Sequence, residues 1–101
     1  MTQEAAFLAA WEKNWKQMEQ AGIQTARMRE QDQKLGAVTA AKRCLSGRRC
    51  SDGFRQLMAA GLLHLSLEAL SLKSAWGSLF TDEEANEALS RLMEAGYNFR
   101  K

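Results

Sequence analysis

The sequence predicts an all-α fold, and three observations carry that prediction. Thirteen Leu and sixteen Ala stand against six β-branched residues (Thr2, Ile23, Thr25, Val38, Thr39 and Thr81), which favours helix and leaves little to build a sheet. No proline interrupts the chain. Apolar side chains recur at alternating spacings of three and four, the period that gathers them on one helix face. A length of 101 residues gives room for one hydrophobic core, so a single domain, residues 1–101, is expected. Its predicted form is a small bundle of four to five helices around a central hydrophobic helix at about 52–80, with a capped C-terminal helix at 82–95.

Thr2 is placed to cap a first helix whose Leu8, Trp11, Trp15 and Met18 share a face that Phe7 and neighbouring alanines widen. Trp11 and Trp15 are read as core, because so small a domain needs large apolar partners for its central segment. Gly22 offers a break, although helix propensity stays high through 23–35 and continuation of the rod is left open. Only Ile23, Ala26, Met28 and Leu35 are apolar in that stretch, which is a solvated helix or one that meets a partner through polar groups. Residues 37–45 read as a short helix with Val38, Ala41 and Leu45 on one side, stopped by Ser46 and Gly47.

From Asp52, a good cap, the most apolar segment runs to Phe80, with Met58, Leu62, Leu65, Ala69, Leu72, Trp76 and Leu79 at heptad-like spacing. Alternation from Leu63 to Glu68 also suits a half-buried strand, but the absence of Val, Ile and Thr favours helix, with Gly61 and Gly77 as candidate kinks. The run from Thr81 to Glu84 is a capping box. Behind it, Ala85, Ala88, Leu89, Leu92 and Met93 form an apolar stripe, Glu87 and Arg91 an outward pair, and Gly96 a stop.

Acid, base or nucleophilic catalysis needs converging titratable groups, and the chain has one histidine. His64 precedes Glu68 by four residues; a hydrogen-bonded histidine at the edge of the core is expected there. No HExxH, GxSxG, Walker or GxGxxG motif is present. Cys44 and Cys50 are spaced too widely, and have too few further ligands, for a zinc site. Lys42, Arg43, Arg48 and Arg49 around them favour thiolate, yet two ordinary thiols are expected. The expectation is no enzyme, no metal and no cofactor.

Glu4 stands where a secretory leader needs positive charge, and His64, Glu68 and Lys73 interrupt the most apolar segment, so a cytoplasmic protein without a membrane span is expected. Apolar residues surround 57–80 almost completely, which predicts burial against a second copy, most simply in a two-fold dimer. The net charge of +2 hides an uneven distribution: residues 27–55 carry eight cations against three carboxylates, between acidic flanks. Those cations, Arg27, Arg29, Lys34, Lys42, Arg43, Arg48, Arg49 and Arg55, make the polar helix at 23–35 and the basic loop at 42–55 the candidate docking surface. A helix-turn-helix fits neither around Gly61 nor around Gly47. The expected function is a small adaptor, inhibitor or regulator that binds another protein; the alternative is a nucleic-acid-binding regulator that contacts phosphates through 27–55.

Overall fold

The computed structural model describes residues 2–47 and 53–97, and among these it is all-helical. The six α-helices are α1 (Gln3–Gln20), α2 (Ala26–Leu35), α3 (Ala37–Ser46), α4 (Phe54–Ala60), α5 (Leu67–Ser71) and α6 (Asp82–Glu94). Two 3₁₀ segments, Leu63–Leu65 and Ser74–Leu79, lie on either side of α5. No helix among the described residues is long and apolar enough to cross a membrane.

Helix α1 supplies the spine of the core. Thr2 caps it by accepting a hydrogen bond from the Ala5 N–H at 3.1 Å. Phe7, Trp11, Trp15 and Met18 are buried along one face. Phe7 meets Trp76 edge-on, with ring centroids 5.5 Å apart, and Phe80 at 5.4 Å, while Trp11 and Trp15 pack at 5.5 Å. The helix stops before Gly22, where the Ile23 N–H returns to the Met18 carbonyl at 2.9 Å, so the rod does not continue into 23–35.

The single central helix expected at 52–80 does not form; residues 54–79 instead fold as two α-helices and two 3₁₀ segments. Local hydrogen bonds explain each break. Gly61 sits in the left-handed region at φ 72°, and the Leu62 N–H closes back onto the Leu57 carbonyl at 2.8 Å, ending α4. Ser66 Oγ donates to the Leu63 carbonyl at 2.7 Å and accepts from the Ala69 N–H at 3.1 Å, ending one turn and capping α5. Lys73 is extended, and Trp76 leaves helical geometry while its indole N–H donates to the Leu70 carbonyl at 2.8 Å. The Leu63 to Glu68 alternation therefore belongs to a 3₁₀ turn running into α5, neither strand nor continuous helix. The folded-back path lets Leu57, Leu63, Leu65, Leu67, Leu70 and Trp76 enter one core with α1. Much of the surplus apolar surface behind the dimer expectation is thereby absorbed within one chain; Met58, Leu89 and Met93 are the exposed large apolar side chains among the described residues.

Helix α3 ends at Gly47 and buries Ala41 and Leu45, as its pattern predicts, but the third buried residue is Ala37, with Val38 only partly buried against the core. The cap expected of Asp52 lies outside the described residues, and Gly53 opens α4 at φ 79°. That left-handed conformation is what asks for glycine here; a Cβ would also meet the terminal methyl of Met28 at 2.7 Å, which a flexible side chain can relieve. Helix α6 has its capping box: the Glu84 N–H donates to Thr81 Oγ1 at 3.1 Å and the Thr81 N–H to Glu84 Oε1 at 2.8 Å. Its inward face is narrower than the expected stripe, since Ala88 and Leu92 are buried while Leu89 and Met93 are exposed.

Candidate partner surface and the inward charges

Helix α2 turns Thr25, Met28, Asp32 and Leu35 inward at the three-four-three spacing of an amphipathic face. Met28 is its one buried residue. Arg27, Glu30, Gln31, Gln33 and Lys34 are exposed, so the outer face of α2 is polar and open to solvent.

The six candidate cations among the described residues are spread over α2, α3 and α4, and three of them are engaged by carboxylates. Arg29 lies back across α1 at the surface, donating to Glu19 Oε2 at 2.8 Å and Thr25 Oγ1 at 3.0 Å, with its guanidinium 4.9 Å from the centre of the Trp15 ring. The Thr25 hydroxyl, and then Arg29, hold the Glu19 carboxyl below its ordinary range. Lys34 pairs with Glu30 one turn back at 3.0 Å, an exposed pair of little energetic weight. Lys42 reaches Glu84 at 2.8 Å and lies 5.5 Å from the centre of the Phe80 ring. Burial works against ionisation of Glu84, but Lys42 and Thr81 outweigh it and keep this carboxyl low. Arg27, Arg43 and Arg55 are exposed on α2, α3 and α4, while Arg48 and Arg49 lie outside the described residues. Arg27 borders a shallow groove of about 490 Å³ between the α1–α2 linker and α4, shared with Ile23, Gln24, Ala26, Gly53 and Gln56.

The charges most deeply built into the fold are ones that the sequence pattern does not single out. Arg91 is buried at 6 % exposure, which corrects the outward Glu87–Arg91 pair. It does donate to Glu87 at 2.7 Å, but it also donates to Glu68 Oε2 at 3.1 Å and to the Cys44 and Gly47 carbonyls at 3.1 and 2.9 Å. The guanidinium thus caps the C-terminal end of α3 and neutralises a carboxylate of 0 % exposure. Burial alone would lower the Arg91 pKa; Glu87 and Glu68 reverse this and raise it. His64 is exposed, not at a satisfied core edge, and the Ser66 cap separates it from Glu68 into a different element. One signal for Arg91 exists: position 91 falls beside Ala88, Leu92 and Ala95 on the inward side of α6.

Asp32 on α2 is only partly buried as a residue, but one of its oxygens is fully so. Its Oδ2 is buried with no hydrogen-bond partner among the described residues, a property shared by Trp15 Nε1. Burial first, and the neighbouring Glu12 charge second, push the Asp32 pKa up to about 6. The residue lines a cleft of about 60 Å³ with Trp11, Met28, Ala40, Ala41 and Cys44, bounded also by Gln31 and Leu67. Among the described residues, no group of three or more His, Cys, Asp or Glu could hold a metal ion. Comparison of the chain with protein-family models, curated proteins and solved structures finds no match.

Proposed function

We propose that this chain is a non-enzymatic cytoplasmic protein that binds another protein, with the outer face of α2 and the adjoining groove beside Arg27 as the docking surface. The observation that carries this reading is α2 itself, a ten-residue helix that commits Met28 alone to full burial and presents a polar, mixed-sign face. A surface of alternating cations, amides and carboxylates suits a partner that offers both donors and acceptors. It suits a phosphate backbone less, because Arg29, Lys34 and Lys42 already face Glu19, Glu30 and Glu84 and would have to exchange those partners for phosphates. Self-association has a narrower basis, the edge of α6 at Leu89 and Met93.

The test is quantitative capture by the full chain, scoring proteins and co-purifying nucleic acid together. A protein partner retained by the wild type and by an Asn86→Ala, Ser90→Ala control on α6, but lost by an Arg27→Glu, Lys34→Glu variant, is the expected outcome. Equal retention by the α2 variant overturns the proposed surface. Nucleic acid whose retention falls linearly in log salt, with no protein partner, replaces the reading by phosphate binding.

A further inference from the structure

The geometry points to a binding site for a primary ammonium group in the cleft between α1, α2 and α3, with Asp32 as its counter-charge. Asp32 holds a position on α2, four residues after buried Met28, where an amphipathic helix ordinarily places an apolar side chain. A buried carboxylate oxygen without a hydrogen bond is costly, and native folds rarely keep one without a use. Three basic residues on the same and the next helix are engaged elsewhere, Arg29 by Glu19, Lys34 by Glu30 and Lys42 by Glu84, while Arg27 and Arg43 are exposed to solvent. Among the described residues of the lining Asp32 is the one ionised carboxylate, and the charge of Glu12 on α1 acts on it from outside the cleft.

The lining selects among cations. Trp11, Met28, Ala40, Ala41 and Leu67 offer an indole and aliphatic walls, which favour an organic cation with an apolar stem over a hydrated metal ion. One orphan oxygen suits the point charge of an ammonium, whereas a guanidinium looks for two parallel acceptors. A volume of about 60 Å³ holds roughly four water-sized groups, at about 15 Å³ each, which matches an ammonium on a three-carbon stem. Either a free alkylamine or the end of a lysine side chain presents that chemistry.

The experiment titrates the isotopically labelled full chain with n-propylammonium chloride at constant ionic strength, followed by amide NMR, with n-propanol as the neutral control. Saturating shifts centred on the Trp11 indole N–H and the Ala40, Ala41 and Cys44 amides are expected, with none from n-propanol. Asp32→Asn weakens binding about tenfold or more, the worth of a charged hydrogen bond. Ala40→Leu fills the cleft and abolishes binding with Asp32 in place, which decides the matter whether or not Asp32→Asn folds. A parallel titration with the Nα-acetyl methylamides of lysine and norleucine separates the sources. Saturation by the lysine derivative assigns the cleft to a lysine side chain, and saturation by propylammonium alone to a free amine. Shifts that fail to saturate with either amine, equal shifts from n-propanol, or unchanged binding in folded variants overturn the inference.

Discussion

Replacing Arg91 with Met keeps much of the apolar stem and removes the guanidinium, which makes four hydrogen bonds: to Glu68, Glu87 and the carbonyls of Cys44 and Gly47. The Glu87 contact reaches a carboxylate that is 43 % exposed and contributes little. The Glu68 contact is different, since that carboxylate is 0 % exposed and loses the Arg91 guanidinium in place. Breaking a buried pair from one side costs about 3–5 kcal/mol. The α3 carbonyls lie nearer the surface, where water replaces a lost donor at small cost. We therefore expect Arg91→Met to destabilise by about 4 kcal/mol, lowering the thermal midpoint by about 20 °C for a domain of this size. Urea unfolding followed by circular dichroism measures it, with an unchanged slope as the check on two-state behaviour. Glu68→Leu should cost a similar amount, and the double variant should recover about 2 kcal/mol or more relative to the sum of the singles. A loss below about 1 kcal/mol for Arg91→Met, or strict additivity in the double variant, would refute the buried pair as the organising contact between α5 and α6.

The other predictions concern single positions. Asp32 has a folded-state pKa near 6 against an ordinary 3.8, so the folded chain holds this proton more tightly than the unfolded one. Its contribution is most favourable below about pH 4 and is lost as pH rises through 6; Asp32→Asn should therefore stabilise at pH 7 by about 1.5 kcal/mol, half the unscreened value because the residue is partly exposed, with no gain in acid. Urea midpoints across that pH range check it, and a pH-independent difference would count against a titrating Asp32. Gly53→Ala puts a Cβ on a backbone at φ 79°, and should cost about 1–2 kcal/mol by the same assay, since the Met28 methyl 2.7 Å away can swing aside. Thr81→Ala removes one half of the α6 capping box and should cost about 1 kcal/mol, with faster amide exchange confined to the first turn of α6.

Legibility in the sequence followed the range of the interaction concerned. The all-helical class, the caps at Thr2 and Thr81, the stop at Gly47 and the burial of Trp11 and Trp15 all depend on residues within a turn or two of each other, and each is found as read. The continuous helix at 52–80 was misleading because heptad spacing survives in a chain that folds back on itself. Gly61 and Ser66 offered local alternatives to helical hydrogen bonds, and their side-chain and backbone chemistry outweighed the period. The charged sites were less legible still. A basic composition at 27–55 says nothing about Glu19 or Glu84, which reach Arg29 and Lys42 from other helices. Asp32 and Arg91 occupy inward positions of α2 and α6, so position carried the information that residue type concealed.

The subdivision of residues 54–79 also bears on how the molecule can be taken apart. Helices of seven and five residues are too short to survive alone in water, and here the 3₁₀ segments before and after α5 are held by Leu63, Leu65 and Trp76 entering a core built on α1. A synthetic peptide covering this stretch should give the spectrum of a coil despite being the most apolar part of the chain. Its apolar character is then a hazard, since a coil with that many leucines is prone to self-association. An expression strategy that truncates α1 should thus yield insoluble material, with the stretch that looks most like a self-standing helix as its cause.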